Sequence, residues 1–236
     1  MPPSLSIVLP AWNEAHRLGD AITALRSWQA TGASPSEVEI IVVDDGSTDG
    51  TPEMARRAGA RVLVHPENRG KGAAVKTGML AARGQHRLFC DVDQSSPISS
   101  ASALQAALLA GADVAVGTRE LQARLRARRD FGRAALGGVF QLLTAGLGAG
   151  VRDTQCGFKM LTGEAAEAIF RRLRVDRYAF DVELLVVARR LGLAVAEVPV
   201  RWQSAAGSRV RLWRDGSRML RDLVVIAGHD RRGEYR

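Results

Sequence analysis

The chain has 236 residues, 46% of them hydrophobic and 25% charged, with a formal net charge of +8. That length suits one large α/β domain, alone or with an appendage, and the apolar content can fill its core. The two cysteines, Cys90 and Cys156, show no metal-ligand spacing and make no disulfide framework, which sets aside disulfide scaffolds and zinc modules and fits a reducing, cytoplasmic setting.

Short apolar runs alternate with helical patterns along the chain. Leu5–Leu9 reads as a strand that Pro10 ends, and 15–28 as a helix. Glu39–Val43 is a second strand. Thr48-Asp49 can cap a helix running to Ala58, with Pro52 in its first turn, where proline is tolerated. A third strand at Arg61–Val64 leads to a helix over 71–82. The apolar run Leu88-Phe89-Cys90 is a fourth strand, ending at Asp91. A helix over 100–110 and a strand at Val114–Val116 follow. Beyond Gly117 the pattern changes: 119–133 is strongly basic, 134–147 apolar and Gly-rich, and 152–159 polar. Helical patterns return at 164–173 and 182–191, with a last strand at 194–200. Alternating strands and helices predict a doubly wound, mostly parallel sheet with helices on both faces. Such sheets bind ligands beyond the carboxyl ends of their strands, where Asp44, Asp45, Asp91 and Asp93 all fall.

Four segments carry candidate chemistry. Pro10-Ala11-Trp12-Asn13-Glu14 can present its backbone, Asn13 and Glu14 to a nucleoside; it also reads as a plain strand-to-helix turn. In Asp44-Asp45-Gly46-Ser47, a carboxylate can accept from a uracil or guanine edge or a ribose hydroxyl, and Gly46 permits a tight turn. Asn68-Arg69-Gly70-Lys71-Gly72 precedes a helix, where glycines and a helix N-terminus favour phosphate, although the Walker spacing is absent. Asp91-Val92-Asp93 sets two carboxylates one residue apart at a strand end, able to hold one hard divalent cation.

In this order, these segments resemble the family 2 glycosyltransferases of the GT-A fold. The likeness continues through Val116-Gly117-Thr118-Arg119, 152–159, 178–184 and Val198-Pro199-Val200-Arg201-Trp202. The later motifs look like the dolichyl-phosphate glucosyltransferase and polyprenyl-phosphate sugar synthase branch, and the resemblance covers Leu5 to about Ile226. Departures are Gln94-Ser95-Ser96-Pro97 in place of a Gly-Ala-Thr-Pro run, Tyr178 for a common tryptophan, and Trp12 for a common tyrosine. The resemblance implies a nucleotide-sugar donor, Mg²⁺ or Mn²⁺, and a polyprenyl-phosphate acceptor. It makes Asp93 the principal metal ligand, with Asp91 and Val92 beside it toward the ribose, Asp45 the base contact and Asp44 its neighbour. Arg69 or Lys71 would serve the donor side and Arg119 a phosphate. Asp153, Gln155 and Asp181 would surround the sugar and acceptor, and Asp181 becomes a base candidate if the acceptor is a hydroxyl. Residues 1–117 would form a nucleotide-sugar half and 118–206 an acceptor half of one domain, with 207–236 a basic C-terminal segment.

That last segment predicts an amphipathic helix over 213–227, with Trp213, Met219, Leu220, Leu223 and Val224 on one face. Arg214, Arg218 and Arg221 take the other. Such a helix can lie in a membrane interface or pack on the domain with a solvated basic face. Arg201, Arg209 and Arg211 could meet a lipid phosphate. No signal peptide is visible at Met1-Pro2-Pro3-Ser4, and no apolar run approaches the ~18 residues of a membrane span. The expectation is a cytoplasmic protein, peripheral on the cytoplasmic membrane face. Transfer to a soluble acceptor and a non-catalytic nucleotide-binding role stay open. The charge alone would allow nucleic acid, but no interleaved aromatic platform or known module supports it.

Overall fold

The structure, a computed structural model, describes residues 3–32, 35, 37–119, 144, 146, 147, 149–203 and 212–236, with backbone alone at 212–217. The stretch between Arg119 and Thr144, and Arg209 with Arg211, lie outside the described residues, as do the expectations placed on them.

A seven-stranded sheet organises the chain. In chain order its strands are β1 (Leu5–Ala11), β2 (Val38–Asp44), β3 (Arg61–Val64), β4 (His86–Cys90), β5 (Val114–Arg119), β6 (Phe158–Thr162) and β7 (Val195–Val200). Their spatial order is β3-β2-β1-β4-β6-β5-β7. Only β6 runs against the rest, pairing antiparallel with β4 and β5. It was not legible as a strand, because a charged Lys159 interrupts its apolar pattern and a polar segment precedes it. Pro10 does not end β1. The strand continues to Ala11 because β4 pairs only as far as Val8, so beyond it one side of β1 needs no partner.

Period-two alternation divides the sheet's side chains between two cores. Leu5, Ile7 and Leu9 face α1 (Ala15–Ala30), α2 (Thr51–Arg57) and α4 (Ala101–Leu109). Val8, Ile41 and Val43 face the opposite layer: α3 (Lys71–Ala81), α5 (Gly163–Arg172), α6 (Phe180–Arg190) and α7 (Leu212–Arg231). Helix α2 starts at Gly50 rather than at Thr48-Asp49. Asp49 instead accepts from Thr51 N with Oδ1 and from Ala15 N with Oδ2, serving two helix starts at once.

Helix α7 buries Leu223 and Ile226, whereas Val224, expected on the apolar face, is 73% exposed. Its tail is anchored by Tyr235, whose hydroxyl donates to Glu183 Oε1 at 2.6 Å. The fully buried Glu183 also accepts from the backbone N–H groups of Arg174 and Val175. This carboxylate therefore fixes both the chain's end and the loop entering α6.

Tyr235→Phe keeps the ring and removes one donor from a buried carboxylate. It is expected to cost about 1 to 3 kcal/mol in chemical denaturation, and an unchanged midpoint would remove Tyr235 from this anchor.

Candidate active site

Strand order reverses between β1 and β4, and a crevice opens there beyond the carboxyl ends. Because β6 is antiparallel, with Cys90 opposite Phe158, its amino end lies at that same edge. The polar segment 152–157 is thereby delivered beside Asp91. One cleft is lined by Asp91, Ser95, Ser96, Arg119, Gln155 and Trp202, among others.

Asp91 is held tightly. Its Oδ1 pairs with Lys71 Nζ at 2.5 Å. Its Oδ2 lies flat against Gly157, where a Cβ would collide with it. Asp93 Oδ1 accepts from Ser95 N at 2.9 Å. Val92 turns into the core. Lys71 is the first residue of α3, and Gly70 before it adopts φ 115° with no room for a side chain against the Asp176 carbonyl.

Behind this pair lies a second. Lys159, with no solvent exposure, pairs with Asp181 and donates to the Cys156 carbonyl at 2.8 Å. Burial pushes the Asp181 carboxyl up, and Lys159 and Lys71 only partly offset this. Lys71 is itself held protonated: burial opposes its charge, but Asp91 and Asp181 outweigh it. Charges thus alternate Lys159, Asp181, Lys71, Asp91 toward the cleft. Asp181 lies deep in this series, its side chain paired with Lys159 and within the field of Lys71.

On the other wall Arg119 makes a bidentate pair with Asp153, Nε to Oδ2 and Nη2 to Oδ1, each at 2.7 Å. Its guanidinium lies 5.8 Å from the centre of the Trp202 ring. Burial works against ionising Asp153, but Arg119 outweighs it and holds the carboxyl below its usual range. Gln155 lines the cleft and donates to the Tyr178 carbonyl at 3.4 Å.

The base-side residues divide. Asp45 is 3% exposed and does not reach the cleft. Its Oδ1 meets His65 Nδ1 and Arg69 N, and its Oδ2 accepts from Gly70 N, so it anchors the 67–70 loop. Neighbouring Asp44 spends Oδ2 on Ser47 N, while its buried Oδ1 has no partner among the described residues. Asn13 adopts φ 54°, its N–H donating to Ser47 Oγ and its amide oxygen accepting from Thr48 N. It ties the loop after β1 to the loop after β2. Glu14 pairs with Arg17. Pro10 and Ala11 lie within β1, whose Ala11 carbonyl accepts from Asp45 N. The Arg69 side chain is exposed. Arg201 lies away from the main cleft, beside Ser99, Ser100 and Pro199.

Sequence reasoning missed the roles of Lys159, Trp202 and Gly157. A lone lysine inside the apolar strand Phe158–Thr162 was the available signal, since such a charge must find a buried partner. Gln94, where the related branch has glycine, sits at φ 49° and fastens its side chain to the Ala21 carbonyl at 2.8 Å.

Residues 6–170 match the family described as glycosyl transferase family 2. The chain belongs to that family. As a family 2 glycosyltransferase it is similar to the dolichyl-phosphate beta-glucosyltransferase of Drosophila melanogaster, at 40% identity over 94% of this chain and 74% of that protein. The human protein of the same name is 35% identical over 94% and 74%. Among solved structures, glucosyl-3-phosphoglycerate synthase from Mycobacterium tuberculosis superposes with a TM-score of 0.74 at 24% identity, covering 96% of this chain and 80% of that one. Mannosyl-3-phosphoglycerate synthase from Rubrobacter xylanophilus gives 0.73 at 22%, covering 98% and 75%. The fold of the glycosyltransferase is accordingly GT-A, as the ordered motifs implied.

Among the described residues, no group of three or more His, Cys, Asp or Glu side chains gathers to hold a metal. Asp91 and Asp93 nevertheless fit a hard divalent cation whose remaining ligands come from a diphosphate and water, the usual arrangement for Mg²⁺.

Two outcomes test this geometry. Arg119 keeps the folded pKa of Asp153 below the unfolded value of about 3.9. The pair's contribution is therefore complete above about pH 4 and is lost as pH falls through the lower folded value. In Arg119→Gln the guanidinium that opposes burial is gone and only the backbone N–H of residue 119 and Lys159 still favour the charged form, so the folded value rises relative to wild type and the pair's contribution at neutral pH is lost. The Tm gap between wild type and variant should be widest near neutral pH and narrow below about pH 4; a gap independent of pH counts against the pair. Gly157→Ala pushes on Asp91 and should cut turnover at least about tenfold, with little change in Tm. Wild-type kinetics in that variant would show that Asp91 has room to move.

Proposed function

We propose that this glycosyltransferase moves glucose from UDP-glucose to a polyprenyl phosphate, with inversion at the anomeric carbon. Mg²⁺ or Mn²⁺ would act at the donor diphosphate. The observation that carries this reading is one cleft in which acidic Asp91, at the end of β4, faces cationic Arg119. The relatives' names support the sugar and the lipid acceptor, and a neighbour of the same fold was crystallised with Mn²⁺ and UDP-glucose.

Asp44 would receive the uracil imide N–H on its unpartnered oxygen, since a buried acceptor without a donor is costly. Asp45 would act through the loop that it holds. Asp93, with Asp91, would carry the cation, which neutralises charge on the departing diphosphate. Lys71 would serve the same diphosphate. Arg119, aligned by Asp153 and Trp202, would hold the acceptor phosphate. An acceptor phosphate oxygen forms the bond to the anomeric carbon as the bond to UDP breaks, and the electron pair leaves with the diphosphate. That oxygen is already anionic, so no general base is required. Asp181, engaged by Lys159, would set the site's charge.

In this reading residues 1–117 serve the donor and 118–206 the acceptor. Helix α7 carries Arg218, Arg221 and the outward Val224 and Val225, and it would meet the cytoplasmic face of a membrane. No helix among the described residues is long and apolar enough to cross a membrane.

UDP release from UDP-glucose is expected to require Mn²⁺ or Mg²⁺ and to rise with a short polyprenyl phosphate. Release stimulated by 3-phosphoglycerate or another soluble acceptor, and not by the lipid, would move the acceptor to a soluble molecule. Asp93→Ala should lose at least about a hundredfold in turnover with its fold intact, and full activity there would overturn the metal assignment.

A further inference from the structure

We infer that Lys71 is an internal cation on Asp91 that must be displaced before a divalent ion can bind, which makes metal and nucleotide binding mutually dependent. This rests on the reading of Asp91 and Asp93 as the metal carboxylates and of the donor as a nucleoside diphosphate.

The ammonium of Lys71 lies 2.5 Å from Asp91 Oδ1. The other oxygen of Asp91 packs against Gly157, on the side where a Cβ would collide with it. A divalent ion approaching Asp91 meets a positive charge already in place, fixed at the first turn of α3. Binding the ion alone breaks that ion pair and brings two cations together, and both effects are unfavourable.

A diphosphate reverses the balance. Its oxygens complete the ion's coordination and give Lys71 a new anionic partner. Lys71 also has a second carboxylate within electrostatic reach, Asp181. Asp181 is in turn paired with the buried Lys159. The arrangement therefore disfavours the lone ion and favours the ion together with nucleotide. By linkage, each ligand tightens the other by the same factor.

Mn²⁺ affinity can be read directly from the free-ion EPR signal, without turnover. Lys71→Met keeps the side chain's length and removes its charge. We expect it to bind Mn²⁺ alone about tenfold more tightly than wild type, within the usual range of such couplings. The factor by which UDP improves Mn²⁺ affinity should shrink in the variant. Equal affinities for Mn²⁺ alone in the two proteins, with UDP still enhancing binding in wild type, would overturn the displacement idea and leave the donor reading intact. Failure of wild type to bind UDP with Mn²⁺ would overturn both.

Should Lys71→Met not fold, the wild-type chain still decides the question. It has only three lysines, Lys71, Lys76 and Lys159, so ¹³Cε-lysine labelling yields three resonances. The Lys71 resonance, assigned by its proximity to paramagnetic Mn²⁺, should move when UDP and Mg²⁺ are added together. An unmoved resonance in the ternary complex would show that the lysine never leaves Asp91.

Discussion

The strand-end site depends on where a buried ammonium can place its charge. Lys159 sits on the central antiparallel strand with no exposure, and a lone cation there would be prohibitive. It is satisfied by Asp181, by the Cys156 carbonyl and by the face of Phe89, 5.4 Å from the ring centre. That arrangement fixes the start of α6 against β6, and the 152–157 segment against both. Replacing the pair by apolar residues could leave the fold as stable. What it would lose is an anion positioned behind Lys71.

The chain's use of basic residues is consistent with this. Of its 33 Lys and Arg, three are lysines, and each makes a specific contact. Lys71 meets Asp91, Lys159 meets Asp181, and Lys76 donates to the Leu173 carbonyl at the end of α5 at 2.6 Å. A compact ammonium suits these narrow sites, while a guanidinium suits the flat bidentate face of Asp153. At these sites the choice between the two cations follows geometry.

Much of the fold was legible because parallel strands buried on both faces leave continuous apolar runs, as in Ile40–Val43 and Leu88–Cys90. The edge carrying the site followed from acidic residues at the ends of those runs. Three features were not legible, for separate reasons. Strand β6 carries its lysine inward, so its pattern resembles a surface segment. Asp44 and Asp45 are adjacent and chemically identical, and only the backbone's direction decides that one anchors a loop while the other keeps an unpartnered oxygen. Val224 lies within the apolar stripe of α7, yet the helix docks through Leu223 and Ile226, a rotation that periodicity alone does not set.

The place of β6 also bears on how the protein comes to exist. Strands β1 to β4 are complete by Cys90, but the edge of β4 gains its partner only when Phe158–Thr162 arrives. Until then a nascent chain carries an unpaired β4 edge able to pair with another strand. Closing it requires a long loop, so the step is slow compared with the local βα units. The strand that brings the two walls of the cleft together is thus also the one that covers the open edge of β4.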